Sequence, residues 1–131
     1  MIIGKAIYDI LSNDTDVAAL VGYRIYPNIV DQSKVGLAAV IYKVDNTEPT
    51  NTKDGPSTLD VIRVYVWALA EGYDECHDLS EKVRAALDRT SGTFAGVVVD
   101  SIMFDSRDDD DYDADLNKHY VSNVYSVRVR R

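Results

Sequence analysis

The sequence predicts an α+β fold: a four-stranded antiparallel sheet with two main helices packed on one face. The predicted order is α-β-β-α-β-β, with a long polar loop between the first two strands. Three observations predict it. Two stretches place apolar residues at helical spacing, and four runs are rich in β-branched and aromatic residues. The strands of each pair are also joined directly, without a helical crossover, as antiparallel neighbours can be.

Ile3, Ala6, Ile7, Ile10 and Leu11 recur on one side of a helix over residues 2–12. Ser12-Asn13-Asp14 stops it, and Asp14 or Thr15 is placed to cap a second short turn running through Leu20. Gly22 ends that turn at a position suited to positive φ. In Arg24-Ile25-Tyr26-Pro27 the proline holds its predecessor extended. "LAAVIYKV", residues 37–44, is a short strand, and Asp45 to Thr58 then contains no aliphatic or aromatic residue apart from its two prolines. Pro49, Asp54-Gly55 and Pro56 punctuate that stretch, which predicts a long exposed loop or a projecting hairpin arm of the kind that often carries an interaction.

"LDVIRVYVWALA", residues 59–70, gives the clearest strand signal. Ile62, Val64, Val66 and Ala68 form a face for a helix, while Val61, Arg63, Tyr65 and Trp67 form a face suited to partial exposure. Gly72 breaks the strand and Asp74 is a candidate cap. Cys76, Leu79, Val83, Ala86 and Leu87 then mark a helix over about 74–89 that Ser91-Gly92 closes. Two further strands are expected at about 97–106 and 118–130, the last alternating Val121, Tyr125, Val127 and Val129 with polar residues.

Composition narrows the function. With 131 residues and 46% hydrophobic content, the chain is expected to form a single domain, residues 1–131. Its 22 acids against 14 bases give −8, which argues against grip on a phosphate backbone. Arg128, Arg130 and Arg131 form the one basic cluster. The single cysteine, Cys76, excludes an internal disulfide and fits a reducing compartment. No apolar run reaches the roughly 20 residues of a membrane span.

Six aspartates fall between Asp108 and Asp115. Asp109, Asp111 and Asp113 match the first ligands of a calcium loop, but Ala114 stands where its glycine is required and Tyr120 where its bidentate glutamate is required. The expectation is an acidic hairpin tip made of Asp108, Asp109, Asp110, Asp111, Asp113 and Asp115, solvated and repelling its own copies, with no metal site. Cys76 and His77 point about 100° apart on their helix, so they form no nucleophile pair, and Cys76 belongs to the apolar stripe as an inert thiol. His119 stands alone near the start of the last strand. No phosphate loop, metal helix or nucleophile elbow is present, so neither an enzyme nor a cofactor is expected.

The order of features resembles the small tail completion or tail terminator proteins of long-tailed bacteriophages and prophages. The likeness runs nearly full length. It rests on "DVAALVGYRIYP" (16–27), on "AAVIYKV" followed by a polar stretch, and on "DVIRVYVWA" paired with "DECHDLSEKVRAALD". Similar sequences often carry a proline before the first strand, where this chain has Gly36-Leu37-Ala38. The resemblance implies a structural virion protein at the head-proximal end of the tail, assembled in the host cytoplasm. It would form a homohexameric ring that stops polymerisation of the tail tube protein and meets the head-tail connector protein, with genome DNA passing through its lumen without specific binding.

Six such copies at −8 each would carry −48, a repulsion that subunit contacts must offset. The candidate interface comprises the polar arm, with Asn46, Glu48, Thr50, Lys53 and Asp54, and the strand face with Arg63, Tyr65 and Trp67. Competing readings are a head-tail connector adaptor or another tail assembly component, an acidic DNA-mimic inhibitor, and a metal-dependent hydrolase.

Overall fold

The computed structural model describes residues 3–22, 24–28, 38–52, 55–115 and 117–130; from 46 to 59 the description is of the backbone. The elements in chain order are α1 (Ile3–Asn13), α2 (Thr15–Val21), β1 (Ile25–Pro27), β2 (Ala39–Thr52), β3 (Gly55–Ala70), α3 (Tyr73–Leu87), β4 (Gly92–Phe94), β5 (Val97–Asp113) and β6 (Lys118–Arg130). The strands form one six-stranded sheet in the order β1-β2-β3-β6-β5-β4. β1 runs parallel to β2, and every other neighbouring pair is antiparallel.

The expected four-stranded antiparallel sheet with two main helices is therefore wrong. Among the described residues the sheet has six strands and is mixed, and three helices accompany it. Each miss has a physical cause. β1 and β4 span three residues each, too few for a period-2 signal, and pairing alone defines them. Ile25 lies opposite Val40, while Val40 N donates to Arg24 O at 3.0 Å and Asn28 N donates to Tyr42 O at 2.9 Å.

The polar loop expected over 45–58 is also a correction. β2 continues through it to Thr52, and β3 starts at Gly55, with Thr47 opposite Ile62, Glu48 opposite Val61 and Thr52 opposite Gly55. Apolar alternation reports burial of a strand face, whereas a two-stranded ribbon needs only its backbone ladder. The ladder is irregular between Val44 and Asn46 and again between Pro49 and Asn51, the second directly after the proline. Because β6 ends at Arg130 opposite Leu59, the ribbon beyond that level projects past its neighbour.

The helices follow the sequence more closely. α1 buries Ile3, Ala6, Ile7, Ile10 and Leu11, the stripe its spacing predicts. Asp14 caps α2: its Oδ1 accepts from Asp16 N at 3.1 Å and Val17 N at 3.0 Å. Gly22 closes α2 at φ 59°, where a Cβ would be strained. α3 buries Cys76, Leu79, Val83 and Leu87, but Gly72, not Asp74, occupies its N-cap. Asp74 sits in the first turn, where its charge favours the helix dipole. At the other end Asp88 Oδ1 accepts from Phe104 N at 2.9 Å, tying α3 to β5.

α3 lies across β3, β6 and β5, whereas α1 touches β1 and β2 on one edge and β4 on the other. Six flat strands would hold those edges roughly 24 Å apart, about twice a helix diameter. The sheet must therefore curl around α1. Ile62, Val64, Val66, Ile102, Tyr125, Val127 and Val129 are buried on this helix side.

Candidate functional site

The opposite side of the sheet carries no described helix. In register, Arg63 faces Ser126, Tyr65 faces Val124, Trp67 faces Ser122 and Leu69 faces Tyr120, so these residues share that outer face. A twisted sheet is concave along opposite diagonals on its two sides. Near the end of the sheet bearing Ala70 and His119, the outer face is cupped into a trough of about 310 Å³. Asn28, Ile41, Trp67, Leu69, Asp109, Asp113 and Tyr120 line it. One wall is aromatic and aliphatic; the other carries two carboxylates. Leu69, Ser122 and Val124 are buried although no described helix covers them.

The acidic wall comes from β5. The expectation of an acidic hairpin tip is corrected here: Asp108 to Asp113 are strand residues, with Asp109 opposite Ser122, Asp111 opposite Tyr120 and Asp113 opposite Lys118. Only Asp115 of the run lies in the turn. The pleat sends Asp109 and Asp113 to the trough, whereas Asp110 points to the helix side, where its Oδ2 lies 2.9 Å from His77 Nε2. The imidazole N–H is not aligned with that carboxylate, so this is a close polar contact and not a directed hydrogen bond. Among the described residues, no group of three His, Cys, Asp or Glu side chains is arranged to hold a metal ion.

Several carboxylates bond to their own strand. Asp109 Oδ1 accepts from Asp110 N at 2.9 Å, and Asp111 Oδ1 accepts from Tyr112 N at 2.8 Å. Asp109 Oδ2 also accepts from the Tyr120 hydroxyl at 2.8 Å. That bond to a carboxylate, more than desolvation, pushes the Tyr120 phenol up to about 12, because ionised Tyr120 would have no proton to donate. Lys118, the register partner of Asp113, is buried and does not line the trough; its Nζ has no hydrogen-bond partner among the described residues.

His119 is not alone as expected. Its ring meets Tyr73 edge-on at 5.7 Å and Tyr112 at 5.0 Å, while Tyr73 also meets His77 at 4.5 Å. Cys76 is buried, its Sγ donates to Ala68 O at 3.2 Å, and burial pushes its thiol up to about 11. It is a core group.

The structure brings together only some of the residues singled out in the sequence. Trp67 and Tyr65 contact each other at 5.8 Å on the outer face, and Arg63 is exposed further along it. Asn46, Glu48 and Thr50 lie on the outer reach of β2, remote from the trough along the strand, while Lys53 and Asp54 fall outside the described residues. Sequence reasoning missed Ile41, Leu69 and Tyr120. A signal for Ile41 and Leu69 was present in "AVIYKV" and "VWALA", where both are apolar in the phase opposite to the helix-facing residues.

The fold is similar to that of a solved virion component. A chain in the virion of a native gene transfer agent particle matches with a TM-score of 0.75 and 16% identity, covering 98% of this chain and 95% of that one. The likeness is one of fold. A search of curated proteins finds no matching sequence. The family model described as tail completion protein gp17 matches residues 5–129. The chain therefore belongs to the tail completion protein gp17 family, a family of structural proteins of the phage virion. As a virion component it associates with other phage structural proteins.

Proposed function

We propose that this chain is a tail terminator: a subunit of a ring, six copies in the assembled particle, that closes the head-proximal end of the tail tube and joins it to the head connector. The observation that carries the reading is the family match across residues 5–129. The gene transfer agent virion adds support at the level of fold. The role is structural, without turnover. Net charge supports it too, since an acidic lumen lets DNA slide where a basic one would hold phosphates.

Subunit contacts in this reading use Asn46, Glu48 and Thr50 of β2 with the projecting end of the β2–β3 ribbon, together with Lys53 and Asp54, and the outer-face residues Arg63, Tyr65 and Trp67. An isolated two-stranded ribbon is marginally stable in water, which favours its resting on a neighbour. Tails from a mutant lacking this gene, viewed by electron microscopy, test the role: overlong tubes support termination, whereas tails of normal length that fail to join heads replace it with a joining role. Deleting residues 46–57 is expected to lower the oligomeric mass in light scattering, and an unchanged mass removes the ribbon from the interface.

A further inference from the structure

We propose that the outer-face trough is the socket for a second copy of this chain, filled by the arginine-bearing end of that copy's β6. The inference rests on the ring reading and names a contact that builds it. The socket combines an indole, a phenol and two aliphatic side chains with two carboxylates, Asp109 and Asp113. Such a lining suits guanidinium better than any other protein group: the flat cation stacks on Trp67 or Tyr120 and presents forked N–H donors to a carboxylate.

The chain carries the matching partner. Arg128 and Arg130 are both exposed, and Arg128 faces Val61 across the β3–β6 ladder, which puts it on the same outer face as the trough. From Tyr120 to Arg128 and Arg130 is eight to ten residues of strand, roughly 26–33 Å. A copy therefore cannot fill its own socket, because an arginine side chain spans only a fraction of that distance. Donor end and socket lie at opposite ends of one sheet, so contact between copies is head-to-tail, the heterologous kind that closes into rings when the rotation allows. Net repulsion between chains of −8 is answered where it is locally reversed, with arginines against aspartates. Arg130 already lies 3.6 Å from Asp100 through an exposed, loosely held pair, which a better-placed partner can displace.

The test uses full-length chain with reciprocal charge reversals. D109K/D113K converts the socket, and R128E/R130E converts the plug. Neither variant is expected to self-associate by sedimentation velocity, whereas an equimolar mixture regains wild-type association, since each interface again pairs opposite charges. Circular dichroism checks that both variants fold.

A second readout does not depend on ring formation. Trp67 is the sole tryptophan and lies in the socket, so its emission reports occupancy directly. A peptide of residues 124–131 should shift that emission saturably, with at least tenfold weaker binding to D109N/D113N and none for a peptide with glutamine at each arginine. If wild type forms rings but the reversed variants do so equally and the peptide leaves Trp67 unchanged, the socket is refuted and the ring reading stands. If wild type fails to assemble, the peptide titration decides: saturable, aspartate-dependent binding upholds the socket while the ring reading fails, and no response overturns both.

Discussion

The two faces of the sheet are buried by different means. On the helix side, β-branched and aliphatic residues of four strands meet the stripes of α1 and α3, and Leu79, Val83, Val64 and Val127 are buried there. On the outer side Leu69, Ser122 and Val124 are also buried, without a described helix over them, while Met103 and Val98 stay about half exposed. A layered core is written in periodicity. A face shaped by curvature is written in register and twist, which are properties of pairs of strands and not of any one segment.

The largest expected difference between the faces is in stability. Leu79→Ala opens a cavity under α3 and should cost about 2–5 kcal/mol in urea denaturation, whereas Met103→Ala on the outer face should fall within about 0.5 kcal/mol of wild type. Equal losses would break the distinction. Alkaline titration sharpens it further, because Tyr125 and Tyr120 are both raised to about 12, one from each side and for different reasons.

Burial is the main cause at Tyr125, and the hydrogen bond to Asp109 at Tyr120. A phenol raised in the folded state above its ordinary value of 10.0 adds stability that is complete below pH 10 and is lost as pH climbs through about 12. Absorbance at 295 nm should show both residues ionising last. D109N should bring Tyr120 down while leaving Tyr125 in place, and movement of both would mean that the two faces are coupled.

The smallest effect expected is that of Tyr125→Phe. The Tyr125 hydroxyl is buried near Asn123, but it has no aligned partner among the described residues, and the Asn123 amide already donates to Ser80 Oγ at 3.0 Å. Removing an unsatisfied hydroxyl should change stability by less than about 0.5 kcal/mol, or raise it. A loss of more than about 1 kcal/mol would reveal a bonded hydroxyl.

What could be read from the sequence follows this division. The α1 stripe, the α3 stripe and the Ile62–Ala68 face emerge from spacing, because each contact with the core recurs within a single element, while residue type offered Asp14 or Thr15 as the cap of α2 and Gly22 as its stop. The polar ribbon was hidden because "DNTEPTNTKDGPST" offers no apolar phase to read, although its backbone pairs well. The aspartate run was hidden for the opposite reason. Aspartate is depleted in strands, and here pairing with β6, hydroxyls from Tyr120 and Ser122 and main-chain donors from its own strand override that tendency. The trough draws on β2, β3, β5, β6 and the residue after β1, so no local pattern could have announced it.

The carboxylates of Asp109 and Asp111 that close back on the amides of Asp110 and Tyr112 have a wider consequence. Beyond Phe104, where the bonds from Arg89, Thr90 and Asp88 to β5 end, the strand pairs with β6 alone among the described residues, and such a border ordinarily invites another chain to zip alongside. Here the incoming polypeptide would find those handles occupied and a fence of negative charge in front of them. Sideways accretion stalls at this border, so crowded copies can meet without fusing into fibrils.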